Sequence, residues 1–225
     1  MFDALYRNAR CRVAELTRSL TAEQLDARVC GSPEWTGRQV VAHLAGVAAD
    51  ISTGNMTGAP GPAWTAAQVD GRAGRALEEL LAEWDAAGPA VEAALAERRS
   101  GSAAVLDVLA HECDLREQFG LDPAPIDQVE AAAMGASKAI VTRFAGPGTL
   151  VVRCSSSDGV EHEWTGGDGG PRAEVGVGSY ELFRALVSRR SRRQILAWGW
   201  RGDADPAPII EQLPVFGCRD DDVPA

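Results

Sequence analysis

Asp107-Val108-Leu109-Ala110-His111-Glu112-Cys113-Asp114 sits inside a segment, residues 103–119, that reads as one helix closed by Gly120. A helix turns about 100° per residue, so positions four and seven apart share a stripe. Asp107, His111 and Asp114 therefore point the same way, while Val105, Val108, Leu109, Leu115 and Phe119 supply a core. An acid, an imidazole and a second acid on one stripe suit a divalent metal held from a helix, given a further ligand from elsewhere. His43, in Val40-Val41-Ala42-His43-Leu44-Ala45-Gly46, is the candidate. Cys113 follows His111 by two residues, about 200° around the helix, and reads as a neutral thiol facing away. Glu112 is expected at the surface.

His43 follows a capping box, Thr36-Gly37-Arg38-Gln39, and shares a face with Val40, Leu44, Val47 and Ile51. The imidazole is thus expected on the apolar side, with Trp35 stapled to Val40. Taken singly, His43 reads as a core histidine bonded to a carbonyl, and Asp107 with His111 as an ordinary i,i+4 pair. Taken together they favour a metal, because burying an unpaired carboxylate costs several kcal/mol unless something compensates it. Two histidines and one carboxylate, with a fourth position open, form a catalytic zinc set. Asp114 either orients His111 or is a solvated acid pairing with Arg116 or Gln118. His162, the remaining histidine, is expected on an exposed strand.

The 225 residues are 45% hydrophobic and 24% charged, as in an ordinary globular chain with ample length for a core. No apolar run approaches bilayer-spanning length, and Met1 to Arg7 lacks the pattern of a signal peptide, so a cytoplasmic location is expected. The five cysteines are scattered without a Cys-x-x-Cys pair, which disfavours a disulfide framework or a cysteine-rich zinc finger. A net charge of −10 argues against nucleic acid as a partner. Lys138 is the only lysine, and the other basic side chains are arginines.

Outward from the two histidine segments, residues 3–19 predict an amphipathic helix, and Thr21 to Gln24 caps a short second one that breaks at Gly31-Ser32-Pro33. Residues 54–66 form a loop rich in Gly and Pro, of the kind that covers sites. A long helix, 67–98, is expected to kink at Gly88-Pro89, with Ser100-Gly101-Ser102 separating it from the central helix. Another helix runs from Ile126 to Phe144. At Ala145-Gly146-Pro147-Gly148 the texture changes to strands, Thr149–Cys154, Val160–Trp164 and Ala173–Val177, with the first two forming a hairpin. A helix from Tyr180, a strand from Gln194 to Trp200, a short helix from Ile209 to Leu213 and a loose acidic tail complete the chain. The layout is a helical bundle over 1–145, then a small α+β domain over 146–225.

Arg184, Arg189, Arg190, Arg192, Arg193 and Arg201 cluster late in the chain. They read either as helix-end and surface charges or as a clamp for an anionic substrate, since Arg binds carboxylates bidentately. Arg201 is the catalytic candidate, and Arg193 and Trp64 are candidates for substrate binding. Trp35 and Trp84 either line the same pocket or pack in a core.

With these residues in hand, Glu34-Trp35-Thr36-Gly37-Arg38-Gln39-Val40-Val41-Ala42-His43-Leu44 resembles the first metal-binding helix of the mycothiol-dependent maleylpyruvate isomerase family, within the DinB-like superfamily. Leu109-Ala110-His111-Glu112-Cys113-Asp114-Leu115-Arg116-Glu117-Gln118-Phe119-Gly120 resembles its second metal helix. Tyr180 to Arg190, followed by Trp200-Arg201-Gly202-Asp203, resembles its C-terminal domain. The resemblance implies an N-terminal DinB-like four-helix bundle holding a divalent metal, usually zinc, and a sterol-carrier-like α+β domain. His43 and His111 match the family's histidines, and its glutamate ligand falls on Asp107, one methylene shorter.

The resemblance further implies mycothiol as a thiol cosubstrate. A thiol of pKa about 8.5 is mostly protonated at neutral pH, and metal binding deprotonates it. The thiolate so formed attacks a small electrophilic substrate. Addition, rotation and elimination make a cis–trans isomerase; addition alone makes an S-transferase, the outcome favoured here. The alternative is a non-catalytic metal- or ligand-binding DinB-like regulatory module. A monomer or homodimer, with no nucleic-acid or membrane partner, completes the expectation.

Overall fold

The computed structural model describes residues 1–99, 102–146 and 148–223. The separator expected at Ser100-Gly101 and the Pro147 of the second transition lie outside them. Two compact units are present, Met1–Ala124 and Pro125–Ala225.

The first unit is a bundle of α1 (Phe2–Ser19), α3 (Gly37–Thr53), α5 (Leu77–Ala96) and α6 (Ala103–Phe119). Each packs on two of the others: α1 and α3 both touch α5 and α6. Short elements fill the connections: α2 (Ala22–Asp26), the antiparallel pair β1 (Arg28–Val29) and β2 (Ser32–Thr36), and α4 (Pro62–Asp70). The capping box of α3 is formed: Gln39 N donates to Thr36 Oγ1 at 3.3 Å, and Thr36 N donates to Gln39 Oε1 at 2.9 Å. Glycines in the left-handed region end both histidine helices, Gly54 at φ 76° and Gly120 at φ 60°. Buried Val40, Val41, Leu80, Leu81, Trp84, Val105, Val108 and Leu109 form the interior.

The expected long helix over 67–98 is two helices. α4 begins within the predicted loop, and a turn through Gly71 and Gly74 separates it from α5. Gly88-Pro89, read as a kink, lies inside the continuous α5. Trp35, expected to staple onto Val40, belongs to β2 and also faces the two imidazoles, as described below.

The second unit opens with α7 (Ile126–Thr142), followed by β3 (Gly148–Ser155), β4 (Glu161–Gly169) and β5 (Arg172–Gly178). α8 (Ser179–Leu186), α9 (Arg192–Leu196), β6 (Arg201–Gly202) and α10 (Ala207–Ile210) follow. The sheet order is β4-β3-β5-β6, with β3 antiparallel to β4 and parallel to β5. The boundary expected at residue 145 assigned α7 to the bundle; the structure groups it with the sheet. The reason is packing: Val141 and Phe144 share a buried cluster with Val152, Trp164, Val175 and Leu182. Gly166 lets the strand approach so closely that a Cβ there would overlap the Val141 carbonyl.

Gln194 to Trp200, expected as a strand, is α9 and the turn after it, opened by a capping box from Ser191 to Gln194. The short helix expected over 209–213 spans Ala207–Ile210. Nor is the acidic tail loose: Val223 is buried, its N–H donates to Gln194 Oε1 at 3.2 Å, and Gln194 Nε2 donates to its carbonyl at 2.7 Å. Among the described residues no helix is long and apolar enough to cross a membrane.

Candidate metal centre

α3 and α6 bring His43, Asp107 and His111 together, with one ligand-type atom from each lying within 4.8 Å of the others. His43 Nε2 is 3.3 Å from Asp107 Oδ2, and His111 Nε2 is 3.6 Å from Asp107 Oδ1. Ligands about 2.0–2.2 Å from a tetrahedral zinc stand roughly 3.3–3.6 Å from one another, so both spacings suit one small cation. Both histidines are buried, whereas Asp107 keeps 31% of its side chain exposed, with the Oδ2 that faces His43 itself buried.

The outward nitrogens are held as well. His111 Nδ1 lies 3.1 Å from Oδ2 of Asp114, a buried carboxylate that also accepts from Ser32 Oγ at 3.1 Å. Asp114 thus faces His111, not Arg116 or Gln118: Arg116 pairs with Glu112, and Gln118 Oε1 accepts from Cys30 N. His43 Nδ1 lies 2.8 Å from Gln68 Oε1 on α4. A proton on each Nδ1 would leave each ring an Nε2 lone pair on the side of the Asp107 carboxylate. Two imidazole nitrogens and a carboxylate are donors that a divalent metal takes, so the residues present fit one.

Backbone proximity creates room for both supporting side chains. A Cβ on Gly31 would overlap the Asp114 carboxylate, and one on Gly46 would stand 2.6 Å from Gln68 Cβ. Trp35 forms a wall over both imidazoles, its ring centroid 4.7 Å from that of His43 and 5.7 Å from that of His111.

The other expected residues fall elsewhere. Glu112, expected at the surface, is fully buried: Arg12 donates to it bidentately, at 2.7 Å for each bond, and Arg116 Nε donates at 3.0 Å. This ties α6 to α1 behind the cluster. Cys113 is buried, as expected of a thiol turned away. Trp84 packs in the core with its Nε1 donating to the Tyr6 hydroxyl at 2.9 Å, and burial pushes that phenol up to about 12. Trp64, half-buried on α4, donates from Nε1 to the Asn55 carbonyl at 3.1 Å.

Arg193 and Arg201 belong to the second unit. Arg193 ion-pairs with Asp222 while 81% of its side chain stays exposed. Arg201 is exposed in β6, paired in register with Glu174 of β5. Arg184 and Arg190 of the arginine-rich stretch are buried, Arg190 bound bidentately to Glu181 at 2.7 and 2.8 Å. The participants that sequence reading missed are Gln68 and Ser32.

Residues 6–109 match the family model described as the mycothiol maleylpyruvate isomerase N-terminal domain. Among solved structures, the chain is similar to a mutant of the mycothiol-dependent maleylpyruvate isomerase, at TM-score 0.58 and 14% identity, covering 83% of this chain and 88% of that one. It is likewise similar to another structure of that isomerase, at TM-score 0.54 and 13% identity, covering 84% of this chain and 88% of that one. These likenesses place the fold. No curated protein matches the chain significantly.

Proposed function

We propose, from the match of residues 6–109 to the mycothiol maleylpyruvate isomerase N-terminal domain model, a cytoplasmic, metal-dependent enzyme that uses mycothiol to attack a small electrophile. The reaction is S-transfer or, where elimination follows addition, cis–trans isomerisation. The observation that carries this reading is the convergence of His43 Nε2, His111 Nε2 and the Asp107 carboxylate, with both outward nitrogens facing acceptors.

His43, Asp107 and His111 would hold the metal, with zinc the candidate, and Asp114 would fix the ring of His111. A divalent cation bound there supplies the positive charge that lowers the pKa of an incoming thiol toward neutrality. Trp35 keeps water from one face of the two imidazoles, and the partly exposed Asp107 leaves the other side for the thiol. Arg201 remains the proposed partner for a substrate carboxylate, since a guanidinium binds that group in two parallel hydrogen bonds. Arg193 is the weaker choice because Asp222 already engages it. Trp64 is proposed to border the substrate.

The test begins with metal analysis of protein purified without an affinity tag. About one equivalent of zinc, or of another divalent metal, is expected per chain and is lost in His43→Ala. Incubation with mycothiol and an electrophile, maleylpyruvate first, should then give turnover that chelators abolish and metal restores. A protein that neither retains nor takes up metal would end the proposal, and metal without turnover would favour a non-catalytic binding module.

A further inference from the structure

Behind His43 stands a chain of hydrogen bonds whose far end dictates the state of the ring. Gln68 is buried on α4, with Oε1 2.8 Å from His43 Nδ1 and Nε2 donating to Asp50 Oδ2 at 2.9 Å. Asp50 is anchored in turn: its Oδ1 accepts from Asn55 Nδ2 at 2.9 Å, and its carbonyl accepts from Asn55 N at 2.9 Å. A glutamine amide has one donating and one accepting end, and rotating it by half a turn exchanges them. An ionised carboxylate only accepts. Asp50 therefore compels the Gln68 amide to present NH₂ to it, which leaves the carbonyl oxygen for His43. His43 must then donate from Nδ1, and its Nε2 keeps a lone pair.

We propose that Gln68, set by Asp50, is a positioning residue that locks His43 in the Nδ1–H tautomer, and that this lock prepares Nε2 for the metal. The second clause rests on the reading of His43 as a ligand. The lock matters because the nearest alternative acceptor lies on the wrong side. Asp107 Oδ2, 3.3 Å from His43 Nε2, would favour the opposite tautomer, whose Nε2 proton must leave before any cation can bind. The shorter contact to Gln68 and the fixed direction of its amide decide the competition. His111 faces a different group on the same side, with Asp114 Oδ2 3.1 Å from its Nδ1. The two rings thus stand against two kinds of group, a neutral amide for one and a carboxylate for the other.

The experiment is nitrogen-15 NMR of the imidazoles in metal-free protein at mildly alkaline pH, paired with cobalt(II) titration followed by the visible spectrum. In the wild type, His43 should show a protonated Nδ1 and an unprotonated Nε2. Gln68→Leu, near in volume but without an acceptor, should move the proton to Nε2 and weaken cobalt binding about 10- to 100-fold. Asp50→Asn, at a half-exposed position, gives an arm independent of folding: either end of the new amide can face Gln68, so a mixture of tautomers is expected. A wild-type His43 protonated at Nε2 alone would overturn the lock, and cobalt affinity unchanged in Gln68→Leu would overturn its role toward the metal. A wild type that takes up no cobalt would sink the metal reading. That failure is separable from failure of the lock, because the nitrogen signals are read without metal.

Discussion

The carboxylate of Asp107 faces both imidazoles at once, and its charge is what would make them a site for a cation. Replacing it by asparagine keeps one oxygen but removes the charge, so Asp107→Asn should weaken cobalt binding at least about tenfold by titration. Asp107→Glu, with the same charge and a longer reach, should retain binding. Gly46 sets a second test. A Cβ there would also meet Gln68 Cγ at 2.8 Å and Arg72 Nη1 at 2.9 Å, so Gly46→Ala should push Gln68 off His43. We expect a loss of cobalt affinity of about tenfold with the helical circular dichroism retained. Legibility differed sharply among these residues. The spacing of Asp107, His111 and Asp114 announced a shared stripe, and the capping box ahead of His43 fixed its face. Gln68 announced nothing, because its importance comes from the approach of α4 to α3, and a lone glutamine carries no periodic signal.

Among the elements, α6 is held from behind as firmly as it is used in front. Glu112 is buried with two guanidiniums, and removing a buried charge from such a group leaves the others uncompensated. Glu112→Gln should destabilise the protein by about 3 kcal/mol, read from urea unfolding. The turn between α4 and α5 is pinned by Glu83, which accepts from Arg72 Nη2 at 2.6 Å and also binds Arg75. Partial burial pushes the Glu83 carboxyl upward, but the two arginines outweigh it and hold the group below its usual 4.5. A folded pKa below the unfolded one means stability that is present above about pH 4.5 and is lost as pH falls through the folded value. Glu83→Gln should therefore lower stability by about 1 kcal/mol at pH 7, and the gap to the wild type should close toward pH 3. The elements misread from sequence have physical causes too. At the end of α9 and just beyond it, the apolar run Ile195-Leu196-Ala197-Trp198 imitates a strand, while the decisive feature is the capping box at Ser191. α7 looked like one more bundle helix because amphipathicity does not say which partner receives the apolar face.

For the chain as a whole, a net charge of −10 surrounds a site that suits a cation. Long-range attraction should speed the approach of divalent ions, and salt should remove it. The screening length falls from about 30 Å at 0.01 M to about 3 Å at 1 M, so the cobalt association rate should drop across that range in stopped flow. An anionic thiol or acid meets the opposite field. Asp107 and Asp114 bear on the outcome, since each stands against an imidazole of the cluster. Their two negative charges cancel the two positive charges of a divalent ion, so a filled site is electrically silent at a distance. A negatively charged substrate therefore gets no help from the site against the repulsion of the whole chain. It must be kept by contacts it feels only on touching, which makes residence, not capture, the stage at which this pocket can choose among molecules.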